Sequence, residues 1–580
     1  MTTPDALPAQ KASPGIPKSG RWDWTLSLVV TAALIQVIAG RWVWSEIPLQ
    51  TDTGIWAYFA ARMLDGARLY QDLWESKPPG IFLTFAGLDR VFGVGDDRAF
   101  LWLDAFLTVA VCGVTYAVAR RFAPRGPAVF ATCFLSVVLS HRVLADWGDN
   151  LEKFVALFEM SAVWLLVARR AAARWLLIGL CCGLAATFKQ TGVLLLAIIS
   201  IGILARWRAL GRSSGWKSMA LCWLGAAIPW IGILIWLRAN ESLGAFWRQV
   251  AVHDLFRATS AEHQRWRILE WDHWSGVGRH LFLSVIVFGP ALAACMGYWT
   301  RRRSRRAGTG EEGAYETIDV EFGLVVVYAL AATLIFVVAP HGYGHYLLQA
   351  APPATVLAAW AMDAPWTPRK RPATTFVFLI GLVVGVCQLR DHVQFLMSPQ
   401  SSARRAYHHR RERVDKLVRV LRETSADDQA IMLWPSDHAV SYYAGRRTPL
   451  EICQAIDIFG GRIRLLDPPL PEVLMRLQAT PPETIVDWTP IDVQPSDPSD
   501  AASPPTLLVP AGGFSLAEEP DLRHGHLEGR LLAPLKEWVR RDYGGQVRYG
   551  DLCTVYFRGR PWREWQDYLR AERIQPIETP

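Results

Sequence analysis

The stretch LQTDTGIWAYFAARMLDGARLYQDLWESKPPG, residues 49–80, decides how the rest of the chain is read. It lies between an apolar run over 24–40 and another over 99–119, and so forms a loop between two membrane spans. Asp52 stands just before Ile55, Trp56, Tyr58, Phe59, Met63 and Leu64, a set that predicts a helix lying at the membrane interface. A carboxylate is thereby held at membrane level. Ile81, Phe82, Phe85, Leu88 and Phe92 recur at helical spacing and predict a second interfacial helix after Lys77-Pro78-Pro79. The two prolines fix the chain where it enters that helix and leave Lys77 facing whatever the loop surrounds. Taken alone, Asp52 reads as well as a helix N-cap within Thr51-Asp52-Thr53. Glu75 and Lys77 nearby tilt the reading towards chemistry.

The wider sequence supports a membrane protein. Of 580 residues, 51% are hydrophobic and only 20% charged, below the ~25% of a typical soluble domain. Apolar runs fall near 24–40, 99–119, 127–140, 151–168, 174–187, 191–205, 218–237, 280–300, 321–339, 344–361 and 373–389. These predict a mainly α, polytopic helical bundle of about 11 transmembrane helices. Up to Arg390 there are 37 basic and 26 acidic residues, and beyond it 24 basic and 27 acidic, so the +8 net charge belongs to the membrane part. Alternate connections carry Lys11/Lys18/Arg21, Arg120/Arg121/Arg125, Arg169/Arg170/Arg174, Arg206/Arg208/Arg212/Lys217, Arg301–Arg306 and Arg369/Lys370/Arg371. Such a pattern marks the cytoplasmic side. Disordered, fibrous, nucleic-acid-binding and soluble single-domain classes are excluded.

The expected organisation is a cytoplasmic tail over 1–23, retained ahead of the first span, a membrane domain over 24–390, and an extracytoplasmic α/β domain over 391–580. In the last, Val414, Leu417, Val418 and Leu421 predict a helix. AIMLW (430–434) and ETIVDW (483–488) predict buried strands, 531–543 another helix, and 546–559 a hairpin around Gly550-Asp551. Residues 489–505 read as a Pro/Ser/Asp linker. Seven of nine cysteines lie in apolar runs, leaving Cys453 and Cys553 in the external part, where an oxidising compartment would allow them to pair.

The pattern Gly66, Tyr70, Asp72, Trp74, Lys77, Pro78, Pro79, Gly80 after an acidic residue just past the first span resembles the polytopic GT-C glycosyltransferases. More narrowly, it is similar to the bacterial relatives of protein O-mannosyltransferase and of the lipid A aminoarabinose transferase. The likeness continues in DNLE (149–152), FKQTG (188–192) and HGYGHYLLQAAPP (341–353), spanning roughly residues 20–390. It implies a multi-pass protein of the cell's inner membrane, with Asp52 as the catalytic base. The chain departs from the pattern at Thr53, where members often carry a second acid.

The chemistry is consistent with that likeness. Sugar transfer outside the cytoplasm needs a lipid-linked donor, since nucleotide sugars are absent there, and hence a site at membrane depth. The expected partners are a polyprenyl-phosphate sugar donor, a lipid, glycan or protein acceptor, and the bilayer, with no nucleic acid. A positioned carboxylate, Asp52, would take the acceptor proton. Lys77, Lys189, His341, Tyr343, His345 and Tyr346 lie at expected external span ends and would meet the phosphate charge that grows as the donor leaves. Lys189 interrupts apolar sequence at a cost of about 2.5–3.5 kcal/mol, which favours function. His341, His345 and Tyr346 read equally as interface anchors. Asp149 and Glu152 would cap a span or form a second acidic cluster facing Asp52. No cofactor is required, and a divalent cation at that cluster is the alternative. The Trp- and Arg-rich loop 238–279 reads as headgroup-facing.

No Walker loop, HExxH or GxSxG in a suitable context is present. Two rival classes remain: a lipid-linked oligosaccharide flippase or other transporter, and an O-antigen polymerase or ligase. The basic connections predict an external C-terminus. A reporter active only in the cytoplasm, fused after residue 580, should be silent, and activity from it would reverse the orientation.

Overall fold

The computed structural model describes residues 51–141, 150–168, 174–205, 212–252, 315–338, 344–363, 402–434, 437–449, 477–487, 545–549 and 553–558, with a few gaps, and scattered positions between them. The expected spans 24–40, 280–300 and 373–389 and the linker 489–505 lie largely or wholly outside the described residues.

The helices follow the apolar runs. α1 covers Thr51–Leu64 and α2 Gly80–Phe92. The bundle contains α3 (Arg98–Phe122), α4 (Arg125–Ser140), α5 (Leu151–Val167), α6 (Arg174–Phe188), α7 (Leu194–Ala205), α8 (Arg212–Ala239), α9 (Tyr315–Val338) and α10 (Leu347–Asp363). Among the described residues, Arg98–Phe122, Gly215–Ala239 and Val320–Val338 are long and apolar enough to cross a membrane. Two breaks matter for the site. The run expected over 191–205 opens with a 3-10 turn at Gln190–Val193, and that over 344–361 with one at Gly344–Tyr346. One ion pair lies deep in the bundle: Lys153 of α5 donates to both oxygens of Asp104 on α3, at 2.6 and 2.8 Å, and both side chains are fully buried. Neither would tolerate an apolar interior alone.

The C-terminal part is α/β, as expected. α11 (Ser402–Thr424) buries Val414, Leu417, Val418 and Leu421. β1 (Ile431–Trp434) is followed by α12 (His438–Ala444), then β2 (Thr484–Asp487), β3 (Gly545–Tyr549) and β4 (Cys553–Phe557). The sheet order is β1-β2-β4-β3, with β1 parallel to β2 and the β3–β4 hairpin antiparallel. Of the helix expected over 531–543 only its end is described. Cys553 is a buried thiol and makes no disulfide among the described residues; Cys453 lies outside them.

The first loop and the C-terminal part are not separable units. One apolar core runs from Ile55, Phe59 and Phe82 through Leu417, Ala439 and Tyr442 to Val486 and Val555. α1, expected to rest on headgroups with one face, is instead covered all round: Ile55 through Ala60 are each no more than 4% exposed. Its cover is α12. A Cβ on Gly54 would come within 2.6 Å of the Ala439 Cβ and 2.8 Å of its backbone nitrogen, so only glycine allows this approach. The His438 ring packs on Tyr58 and Phe59. The Tyr443 hydroxyl donates to Asp97 at 2.5 Å and accepts from the Leu49 amide, while Arg411 adds an ion pair to Asp97 at 3.0 Å.

The Tyr442 hydroxyl donates to Asp89 Oδ1 at 2.8 Å, and Asp89 Oδ2 is buried with no hydrogen-bond partner. Burial pushes the Asp89 carboxyl up to about 6, only partly opposed by the tyrosine. A carboxyl raised in the folded state subtracts from stability as pH climbs through that value. Asp89→Asn keeps an acceptor for Tyr442 and should gain thermal stability relative to wild type as pH rises from below the ordinary carboxylate range to above about 6. A difference constant across that range would contradict this account.

Candidate active site

The site is built first from the loop between α1 and α2. Tyr70 has φ +69°, a left-handed conformation unfavourable for a residue with a Cβ. Three contacts hold it there. Its amide donates to the Leu73 carbonyl, its ring packs edge-on to Phe246, and its hydroxyl donates to the Lys77 carbonyl at 2.7 Å. Glu75 is buried and turns its Oε1 back onto the chain, accepting from the amides of Ser76 (2.7 Å) and Lys77 (3.2 Å). Gln249, in the π-helical turn Trp247–Val252, accepts from the Glu75 amide and donates to the Tyr70 carbonyl. The backbone of Lys77 is thus pinned on both sides. Burial raises the Glu75 carboxyl above the ordinary glutamate value, against the pull of Lys77 and of the Ser76 amide.

The second wall comes from the bundle. α6 ends at Phe188, leaving Lys189 in an extended conformation before the 3-10 turn. The Lys189 ammonium donates to Glu152 in the first turn of α5, a pair that is 14% and 4% exposed. It also lies 3.9 Å over the Tyr346 ring, and His345 Nε2 lies 4.0 Å from the same Glu152 oxygen. Parallel stacking of Phe154 on Phe188, at 4.4 Å, sets α5 against the end of α6. Two contacts join this wall to the loop. Gln190 donates to the Ser76 carbonyl at 3.0 Å, and a Cβ on Gly80 would meet the Thr187 carbonyl at 2.6 Å.

Asp52 faces this assembly from α1. It is the second residue of the helix, in its first turn, and is exposed. No hydrogen bond to it forms among the described residues, so the N-cap reading has no bond behind it. Its charge nevertheless acts on both Glu75 and Lys189, as does that of Lys77. The structure therefore brings together Asp52, Glu75, Lys77, Glu152, Lys189, His345 and Tyr346. Asp149, His341 and Tyr343 lie outside the described residues. Glu152, expected in an acidic cluster, is neutralised by Lys189. Among the described residues no three His, Cys, Asp or Glu side chains come together to hold a metal ion.

Gln249 is a supporting residue that the sequence reading did not select, and Tyr70 and Gln190 entered it only as members of motifs, with no role of their own. The two glutamines are neutral amides in short helical turns, with no periodicity to single them out. Glu159 and Lys153 are different: both interrupt an apolar run, the signal used for Lys189.

With this geometry in view, the comparisons are informative. Residues 76–236 match the family described as Dolichyl-phosphate-mannose-protein mannosyltransferase. The chain is similar to ArnT from Cupriavidus metallidurans in its apo state, with TM-score 0.52 and 15% identity over 92% of this chain and 97% of that one. It is likewise similar to the same protein bound to undecaprenyl phosphate, with TM-score 0.51 and the same identity and coverage. No curated protein matches the chain in sequence. The chain shares its fold with ArnT, and both comparisons agree with the resemblance to GT-C glycosyltransferases read from the sequence.

Removing one partner of a largely buried ion pair typically costs about 3–5 kcal/mol. Lys189→Met should therefore destabilise the folded protein strongly, while Lys189→Gln combined with Glu152→Gln should recover most of that loss without restoring function. Chemical denaturation measures both, and a Lys189→Met protein as stable as wild type would contradict the pairing.

Proposed function

We propose that this chain is a membrane-embedded glycosyltransferase that moves a sugar from a polyprenyl-phosphate donor to a hydroxyl acceptor on the extracytoplasmic side of the inner membrane. The observation that carries the reading is an exposed carboxylate, Asp52, which takes no hydrogen bond among the described residues and whose charge, like that of Lys77, acts on both Glu75 and Lys189. Undecaprenyl phosphate bound to the structurally similar ArnT supports a lipid phosphate as the donor's leaving group.

Asp52 accepts the proton of the acceptor hydroxyl as its oxygen attacks the anomeric carbon. The carbon–oxygen bond to the phosphate breaks on the opposite face, so a single displacement inverts the anomeric centre. The bond's electrons leave on the polyprenyl phosphate, whose added negative charge is met by Lys77, Lys189 and His345. Glu152 holds Lys189 in the free protein, and an arriving phosphate competes for the same ammonium. Glu75 shapes the loop that presents Lys77. His341, Tyr343 and Asp149 join the substrate-facing set in this reading on the sequence alone.

Asp52→Asn keeps the size of the side chain but cannot accept the proton. Donor binding should persist while transfer falls by about 10²–10⁴-fold, the range for loss of a general base. Lys77→Ala should instead weaken donor binding. Separate measurement of binding and turnover on the purified protein decides this, and full activity in Asp52→Asn would overturn the mechanism.

A further inference from the structure

Glu159 is a fully buried carboxylate on α5 that plays no part in the reaction above. It lies seven residues along from Glu152, so the two share one face of the helix about 10 Å apart. Its Oε2 accepts from two elements at once: the Tyr328 hydroxyl of α9 at 2.5 Å and the Gln349 amide of α10 at 2.8 Å. The same Gln349 amide reaches the Thr191 carbonyl, at 3.5 Å. Thr191 is two residues past Lys189, in the 3-10 turn, and Gln349 is three residues past Tyr346, in the first turn of α10.

The two breaks that deliver Lys189 and the His345–Tyr346 pair are thus tied to one point by a single side chain, and that side chain is anchored on Glu159. Short 3-10 turns have poor internal hydrogen-bond geometry and depend on outside contacts for a fixed shape. The phosphate-facing groups must be held to within a fraction of an ångström, and such precision comes from residues behind them.

We propose that Glu159 and Gln349 are positioning residues for lipid-phosphate binding: Glu159 fixes Gln349, and Gln349 fixes the turns that carry Lys189 and His345–Tyr346. The proposal rests on reading that cation cluster as the phosphate site. The requirement is for an acceptor at 159, not for a charge, because both partners donate to it. Glu159→Gln keeps a carbonyl acceptor in place, Glu159→Asp withdraws it by one methylene, and Gln349→Leu removes the strut at similar volume.

The test is equilibrium binding of decaprenyl phosphate to the purified full-length protein in lipid nanodiscs, with the thermal midpoint measured for each variant. Wild type must bind the probe; if it does not, the reading of the cluster fails independently of this inference. Given binding, Gln349→Leu and Glu159→Asp should weaken it by about tenfold or more, the scale seen when groups behind ligating side chains are lost. Their thermal midpoints should stay near that of wild type, and Glu159→Gln should bind normally. Unchanged affinity in a folded Gln349→Leu or Glu159→Asp protein would overturn the proposal, as would loss of binding in a folded Glu159→Gln. Failure of both Gln349→Leu and Glu159→Asp to fold, with Glu159→Gln normal, would assign the pair to folding alone and overturn it as well.

Discussion

An ammonium group at the junction of two apolar helices has to have an anion beside it, and the arrangement around Lys189 follows from that requirement. Glu152 supplies the anion from the first turn of the neighbouring helix, which fixes the register of α5 against the end of α6. Phe154 stacked on Phe188 continues the same contact one turn further in. Once α5 is set, Lys153 points the other way, to Asp104, and Glu159 lies beneath Glu152. One helix therefore presents Glu152 and Glu159 along one face and Lys153 from another, and each finds its partners on different elements. A slip of one residue would break all three pairs, so the polar contacts select a single register in a bundle whose apolar surfaces would tolerate several.

The Lys189–Glu152 pair also has a chemical consequence. A lysine held by one carboxylate and an aromatic face is ordered in advance, and in the proposed function this lowers the entropy lost when a phosphate binds. The loop opposite is ordered by other means. Tyr70 occupies an unfavourable backbone region and is kept there by Phe246, Gln249 and the Lys77 carbonyl, the kind of local strain that persists where surrounding structure over-determines it. The two walls meet at Gly80, packed on the Thr187 backbone, and at Gln190, whose side-chain amide donates to the Ser76 carbonyl, so the segments carrying Lys77 and Lys189 are fixed relative to one another.

The C-terminal part takes a share in this order. α12 covers α1 through the Gly54–Ala439 contact, and Tyr442, Tyr443 and Arg411 reach back to Asp89 and Asp97. Asp52 lies on that same α1. The C-terminal part therefore also sets the position of the helix that bears the carboxylate.

The amino-acid sequence by itself determined where the bundle helices lie, because each is a local property of hydropathy and length: α3 to α6 and α8 to α10 all fall on apolar runs, three of them long and apolar enough to cross a membrane. It also determined the loop helices, from Ile55–Leu64 and Ile81–Phe92, and the pairing of β3 with β4, and it singled out most of the charged residues that the fold brings together, since a charge in apolar surroundings or next to Pro-Pro is legible without coordinates. It did not determine which groups would be partners. Glu152 read as part of an acidic cluster because its neighbour Asp149 is close in sequence, whereas Lys189, close only in space, is the group that meets it. α1 read as interfacial because its cover, α12, lies nearly four hundred residues later. Gln249 carried no signal, and Gln349 stood inside a motif with nothing to mark it out, because a neutral amide shows in the sequence neither a charge nor a periodicity. The tertiary structure decided these points for one physical reason: hydropathy and helix periodicity act over a few residues, while the energy of a buried charge or polar group depends on what the fold brings within hydrogen-bonding distance of it.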